Sequence, residues 1–211
     1  EKPRNVLVQG DDTKDIDLLT SLKLYLKEKY NKPGNVYLGL VHRLDRPVGG
    51  VMVFAKTSKA ASRLSEQVRN KTFKKEYLAI VDGKLDVKSG ILEDYLVKNE
   101  KNNSSKVTNK ETKNAKYAKL DYEVLKYNKE INLSVLRILL HTGRHHQIRV
   151  QLANMGHSIC GDQKYGIRGR GKQISLWAYK LTIEHPITKE SMTFIDVPEK
   201  IGPWVILEDI M

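Results

Sequence analysis

Two short segments hold the residue types that acid–base or nucleophilic chemistry on a polyanion would need. In the first, Val41-His42-Arg43-Leu44-Asp45-Arg46, a carboxylate stands between two arginines just ahead of Pro47-Val48-Gly49-Gly50. Neighbouring cations favour the charged form of such an acid. In an extended segment side chains two apart share a face, so Arg43 and Asp45 project together while Leu44 turns to the core. A carboxylate displayed on a loop is a usable nucleophile or base. Spacing alone fits an Arg–Asp surface ion pair better, because that is the commoner use of such a triplet.

The second segment, His141-Thr142-Gly143-Arg144-His145-His146-Gln147-Ile148-Arg149, enters a short helix expected from about His146 to Met155 and closed by Gly156. Helix N-termini with added arginines attract phosphate, which makes Arg144, His146 and Gln147 candidate contacts to a nucleic-acid backbone. Three histidines so close also raise a metal site. That reading is the weaker one, since no carboxylate or paired thiolate stands nearby and His157 and Cys160 lie beyond a glycine break. No metal is expected.

The elements that must position these segments read as a mixture. Leu19, Leu22, Leu26 and Tyr30 recur at helical spacing between Asp15 and Tyr30, with a stop at Asn31 to Gly34. Val51 to Ala55 reads as a buried strand, and Thr57 or Ser58 caps a helix that turns Ala61, Leu64 and Val68 inward. Strands are expected at Tyr77–Val81, Ile91–Val97, Leu120–Leu125, Ile131–Leu140, Ile174–Ile183 and Met192–Val197, the last two joined through His185-Pro186. Between them, Lys98 to Lys119 holds seven lysines and two glutamates among Asn, Ser and Thr, and reads as a solvated loop or hairpin tip that can also attract phosphates.

The expected fold is therefore mixed α/β (α+β), a central, mainly antiparallel sheet flanked by helices and loops. The 211 residues, 40% of them hydrophobic, suit one domain spanning 1–211. The chain begins Glu1-Lys2-Pro3 without methionine, so a short leading segment is expected to be missing. A net charge of +12, from 37 Lys and Arg against 25 Asp and Glu, favours a polyanionic partner. The single cysteine, Cys160, excludes an intrachain disulfide, and no apolar run nears the roughly 20 residues that span a bilayer. A cytoplasmic monomer without membrane contact or obligate protein partner is expected.

The two segments belong to a longer series. His42-Arg43-Leu44-Asp45-Arg46 with Gly50 and the run Val51-Met52-Val53-Phe54-Ala55-Lys56 resembles the signature of RluA-type RNA pseudouridine synthases. The resemblance continues through Lys75-Glu76-Tyr77-Leu78-Ala79-Ile80-Val81-Asp82-Gly83 and Thr142-Gly143-Arg144-His145-His146-Gln147-Ile148-Arg149. It extends to Gly156-His157, Gly161-Asp162 and Tyr165-Gly166, in the family's order. Each motif is weak alone, and their ordered conjunction is strong.

The resemblance implies a pseudouridine synthase catalytic fold and an isomerase that converts uridines of structured RNA, ribosomal or transfer, without cofactor or metal. Asp45 then resembles the essential aspartate. Tyr77 resembles the active-site tyrosine, and Arg149 the arginine that pairs with the aspartate. Arg43 resembles the residue that takes the place of the flipped base, and Arg46 and Arg144 are candidates for phosphate contact. By itself Tyr77 would be a half-buried strand tyrosine, and Arg149 a surface residue. Two positions depart from the family pattern: Gly49 replaces a common Ser or Thr, which is expected to loosen the loop, and Asn5 replaces a Gly in an element expected to be peripheral.

Overall fold

The computed structural model describes residues 1–11, 13, 15–208 and 210. The chain forms two compact units: Glu1–Lys74 with Lys180–Asp196, and Lys75–Tyr179 with Val197–Met211.

In the first unit, helix α1 (Leu18–Lys29) starts at Asp17, whose carboxylate accepts from the Thr20 N–H at 2.9 Å and the Thr20 hydroxyl at 2.8 Å. Its apolar stripe is only half covered, and no residue of the helix is fully buried. Strand β1 (Gly39–Leu40) pairs antiparallel with β3 (Phe54–Ala55), and β2 (Gly49–Gly50) lies in the loop between them. Of the strand expected over Val51–Ala55, only its last two residues join a ladder. The Val53 N–H donates instead to Nε2 of His42 at 3.2 Å, so a side chain replaces a neighbouring strand there.

Helix α2 (Ser58–Arg69) is capped by Thr57 as expected, its hydroxyl accepting from the Ala60 N–H at 3.1 Å. The helix buries Leu64 against Ala55, Phe73, Leu181 and Ile183. Gln67 ties it to a strand end far along the chain, its amide donating to and accepting from the Glu184 backbone at 2.8 and 2.9 Å. A buried amide satisfied on both sides fixes the helix without the penalty of an unpaired polar group. Strand β10 (Ser191–Ile195) closes this unit, antiparallel to the later residues of β9 (Leu176–Glu184).

The second unit is a sheet in which β9 is followed by β4 (Lys74–Asp82), β8 (Leu133–Leu140), β7 (Lys116–Asn128), β5 (Ser89–Asn99) and β6 (Ser104–Thr108). The pairings β4–β8, β8–β7, β7–β5 and β5–β6 are antiparallel. Opposed residues share a face, so the register places Tyr77, Ile138, Tyr122 and Gly90 in one row. The ring of Tyr122 lies over Gly90, where a Cβ would come within 2.8 Å of it.

Leu78, Ile80, Leu133 and Val135 project from the opposite face and pack with Trp177 and with Trp204, Ile206 and Leu207 of a closing 3-10 helix (Gly202–Leu207). Helix α3 (Gln147–Asn154) covers the Tyr77 face, its Val150 packing with Leu96 and Ala118. Every residue of β4 from Tyr77 to Asp82 is buried.

The mixed α+β class and the mainly antiparallel sheet are as expected. The lysine-rich stretch is not only loop. Ser104–Thr108 forms β6, because Ser105 and Val107 are drawn inward by Tyr165 while the lysines stay outside.

Candidate active site

The Asp45 loop belongs to the first unit. Leu44 is buried, Arg43 is exposed and Asp45 is half-buried, the alternation an extended segment produces. A turn follows at once, with the Val48 N–H donating to the Asp45 carbonyl at 3.0 Å.

Lys2 holds that turn. Its ammonium is wholly buried and donates to the carbonyls of Pro3 at 2.9 Å, Arg46 at 3.0 Å and Val48 at 2.7 Å. Its backbone pairs with Gly50 at 2.8 and 3.0 Å. Burial lowers the Lys2 pKa to about 8, against the opposing pull of the Asp45 charge. The element expected to be peripheral is therefore structural support for the loop. Asn5 adopts φ 63°, a conformation in which Asn is the most tolerated residue after Gly, so the departure from the family pattern keeps the backbone shape. Gly49 is likewise buried within β2 next to the Lys2–Gly50 pair, and does not sit in a loose loop.

Arg46 is exposed and already committed to a partner. Its Nη2 lies 2.7 Å from Asp15, and its Nε donates to the Asn5 carbonyl at 3.3 Å. His42 accepts on Nε2 and meets Phe73 edge-on with ring centroids 5.2 Å apart.

Tyr77, Arg144, His146, Gln147 and Arg149 lie in the second unit. Tyr77 is buried on the sheet face that α3 covers. Lys75, two residues before it, projects to the same side, and its Nζ lies 3.5 Å from where a Cβ on Gly143 would stand. That ammonium meets no carboxylate among the described residues, and burial alone lowers its pKa.

The turn into α3 is built from side chains. Gln147 accepts from the Thr142 hydroxyl at 2.7 Å and the Arg144 N–H at 3.1 Å, and donates to the Lys119 carbonyl at 3.1 Å. His146 sits at φ 54° as the N-cap, stacked on His145 at 3.8 Å, with Nδ1 2.8 Å from the Tyr165 hydroxyl. That hydroxyl also accepts from the Ser105 N–H at 2.7 Å. His146 and Gln147, expected as RNA contacts, are thus buried, and their polar groups hold this turn in place. Arg144 stays exposed, with Nε on the Tyr117 carbonyl at 2.7 Å.

Arg149 is buried and makes a bidentate pair with Asp162, Nε to Oδ2 and Nη2 to Oδ1, both at 2.7 Å. The guanidinium also lies 5.2 Å from the centre of the Tyr165 ring. Burial disfavours the Asp162 charge. The Arg149 hydrogen bond and charge outweigh it, together with the Lys164 and Tyr165 N–H groups, and hold the carboxyl below its ordinary range. Asp162 and Tyr165 received no role from the sequence, although both fall inside the motif blocks around Gly161-Asp162 and Tyr165-Gly166.

Among the described residues no three of His, Cys, Asp and Glu gather as metal ligands would, and no helix is long and apolar enough to cross a membrane.

Residues 1–154 match the family model described as RNA pseudouridylate synthase. The chain is 30% identical over 201 residues to the ribosomal large subunit pseudouridine synthase C of Haemophilus influenzae, across 92% of this chain and 60% of that one. It is 33% identical over 171 residues to the tRNA pseudouridine synthase C of the same organism, across 72% and 71% of the two chains. Against the first of these curated relatives it spans less than two thirds of their length. In fold it is similar to human RNA pseudouridylate synthase domain containing 4, with a TM-score of 0.76 at 21% identity, over 97% of this chain and 85% of that one. The family match covers the loop of Asp45, the strand of Tyr77 and the helix of Arg149 alike, and the chain belongs to the RNA pseudouridylate synthase family, in the RluA-type group its motifs resemble.

Proposed function

We propose that this chain isomerises uridine to pseudouridine in structured RNA, ribosomal or transfer, with Asp45 as the reacting carboxylate. The observation that carries the reading is the family match across residues 1–154, a span that contains Asp45, Tyr77 and Arg149. The names of the relatives, one acting on the large ribosomal subunit and one on tRNA, support the two substrate classes.

The reaction breaks the bond between ribose C1′ and uracil N1, turns the base, and joins C1′ to uracil C5. The C5 proton leaves and N1 gains one, so atoms and electrons balance without oxidant, nucleotide or water. A carboxylate can serve by attacking C1′, by adding to the uracil ring, or by removing a ribose proton. The uridine must first leave its stack, at a cost of about a few kcal/mol, and contacts to the RNA backbone offset that cost. Arg43 is assigned to the place vacated by the base, and Arg46 and Arg144 to phosphates. The Arg46–Asp15 pair is exposed and can be exchanged for a phosphate at little cost.

Tyr77 offers the base a flat apolar face and a hydroxyl for proton movement. Arg149, held by Asp162, is the arginine that the resemblance pairs with the reacting aspartate. His146 and Gln147 act through the arginine turn they hold. The test is pseudouridine formation by the wild type and by Asp45→Asn on ribosomal and transfer RNA. Formation by the wild type and its loss in the variant are expected, and equal yields would refute the assignment.

A further inference from the structure

A cavity of about 420 Å³ opens in the first unit, away from the catalytic loop, and nothing in the proposed reaction uses it. Its wall includes Tyr30 at the end of α1, then Lys32, Asn35 and Tyr37 of the following connection, and Lys56 beyond β3. That volume lies within the range of pockets that hold small organic groups. The lining is mixed, with Leu26, Val36 and the two tyrosine rings on its apolar side and Lys32, Asn35, Lys56 and Thr57 on its polar side, and it contains no carboxylate.

Both tyrosines are about half exposed, at 48% each, so their rings are accessible from solvent. Tyr37 is held in place. Its ring rests against Gly39, where an added Cβ would meet its hydroxyl at 2.8 Å and its Cε1 at 3.3 Å. The Lys56 ammonium donates to the Tyr30 hydroxyl at 3.1 Å and stands 4.7 Å from that ring's centre. Lysines 23, 27, 29 and 32 against the single Glu28 make the surrounding stretch strongly basic.

The ladder of β1 and β3 relates this cavity to the reactive loop. Tyr37 precedes β1 and Lys56 follows β3, and the two strands pair antiparallel through Gly39 and Ala55. Both residues therefore stand at one end of the ladder, and the loop of residues 41–53 with Asp45 leaves from the other. Eight residues separate Tyr37 from Asp45, a span of at most about 29 Å. A single RNA molecule can occupy both places.

We infer that this cavity seats an unpaired nucleotide of the RNA substrate, distinct from the uridine being modified, with its base against Tyr37 and its flanking phosphates on Lys32 and Lys56. Aromatic faces with interleaved cations are the arrangement that binds single strands with little sequence preference. The inference rests on the reading of the chain as an enzyme of RNA, and it assigns part of the substrate selection to a surface outside the catalytic loop.

The test measures binding of the full chain to a mixed-sequence, single-stranded 12-nucleotide RNA and to the duplex of the same sequence. Tyr37→Ala is expected to weaken single-strand binding by about tenfold and leave the duplex unaffected, and Tyr37→Phe, which keeps the ring, to bind as the wild type does. Lys32→Ala and Lys56→Ala are each expected to flatten the salt dependence of log K by about 0.7. Thiouridine placed in the 12-mer is expected to crosslink to the segment 30–37 in the wild type, a readout that does not depend on how well a variant folds.

Wild-type affinity in Tyr37→Ala, absence of that crosslink, or displacement of the crosslink by a polyglutamate peptide at equal charge concentration would overturn the assignment, the last in favour of an acidic protein partner. Tyr37-dependent binding beside wild-type protein that makes no pseudouridine would leave the RNA seat standing and sink the isomerase reading. Pseudouridine formed without any Tyr37 dependence of binding would sink the seat alone.

Discussion

Two arginine–aspartate pairs in this molecule have the same 2.7 Å separation and opposite physics. Arg46–Asp15 leaves 45% and 51% of the two side chains exposed, and Arg149–Asp162 leaves 7% and 0%. In water the first pair is a weak, salt-screened contact that a phosphate can replace. The second is bidentate, backed by two backbone N–H groups and an aromatic ring, and its members have no solvent to return to. Distance therefore says little about role. On the proposed function the exposed pair faces RNA and must let go of its own carboxylate, whereas the buried pair is a fixed scaffold for one guanidinium.

Breaking the buried pair should have the largest effect. Asp162→Asn keeps the shape and removes the carboxylate charge that the buried Arg149 guanidinium grips through two hydrogen bonds, and is expected to destabilise the chain by about 3–5 kcal/mol in urea unfolding. Because the folded state holds the Asp162 carboxyl below its ordinary range, its contribution is present above that range and lost as pH falls through it. The gap between wild type and Asp162→Asn should accordingly close in strong acid.

Lys2 is the next test, since it supports the Asp45 loop by a buried cation with no carboxylate in hydrogen-bond contact among the described residues. Lys2→Met leaves the Arg46 and Val48 carbonyls without this donor and should cost about 1–3 kcal/mol, with a loss of turnover that RNA concentration does not restore. The folded pKa of about 8 lies below the unfolded value of 10.5. The unfolded chain thus binds more protons at this site between those values, and the Lys2 contribution to stability should rise with pH across that window, a rise absent from Lys2→Met.

Lys75 sharpens the contrast from the other side. It carries a half-buried ammonium that meets no carboxylate among the described residues, so Lys75→Met should stabilise the protein by about 1 kcal/mol, a Tm gain of about 2–4 °C. The smallest effect belongs to Arg46→Ala. Stability should change by about 1 kcal/mol or less, less still at high salt, and the loss should be seen in RNA affinity.

Much of this arrangement is legible in the residues themselves. The helix over Ser58–Arg69 announces itself by its Thr57 cap and inward Ala61, Leu64 and Val68, and α3 by its glycine stop at Gly156, which takes φ 88°. The alternation around Leu44 correctly separates a buried leucine from its exposed and half-buried neighbours. What escapes is what only tertiary packing decides. A lysine at position 2 is expected in solvent, and nothing local shows that three carbonyls will surround it. β6 hides in a polar stretch because only Ser105 and Val107 turn inward. Asp162 lies thirteen residues from Arg149 across a turn, a separation with no helical or strand period to point from one to the other. Gln147 and His146 have the composition of ligand contacts and are consumed by the architecture of the turn.

The account stands most directly on the carboxylate of residue 45. Purified wild type and Asp45→Asn, with matched folding by circular dichroism and matched RNA affinity, should be incubated with ribosomal and transfer RNA and the pseudouridine counted by mass spectrometry. The account predicts new pseudouridine at defined uridines with the wild type and a loss of at least about a thousandfold in rate with the variant. Pseudouridine produced at comparable rates by both proteins would contradict it.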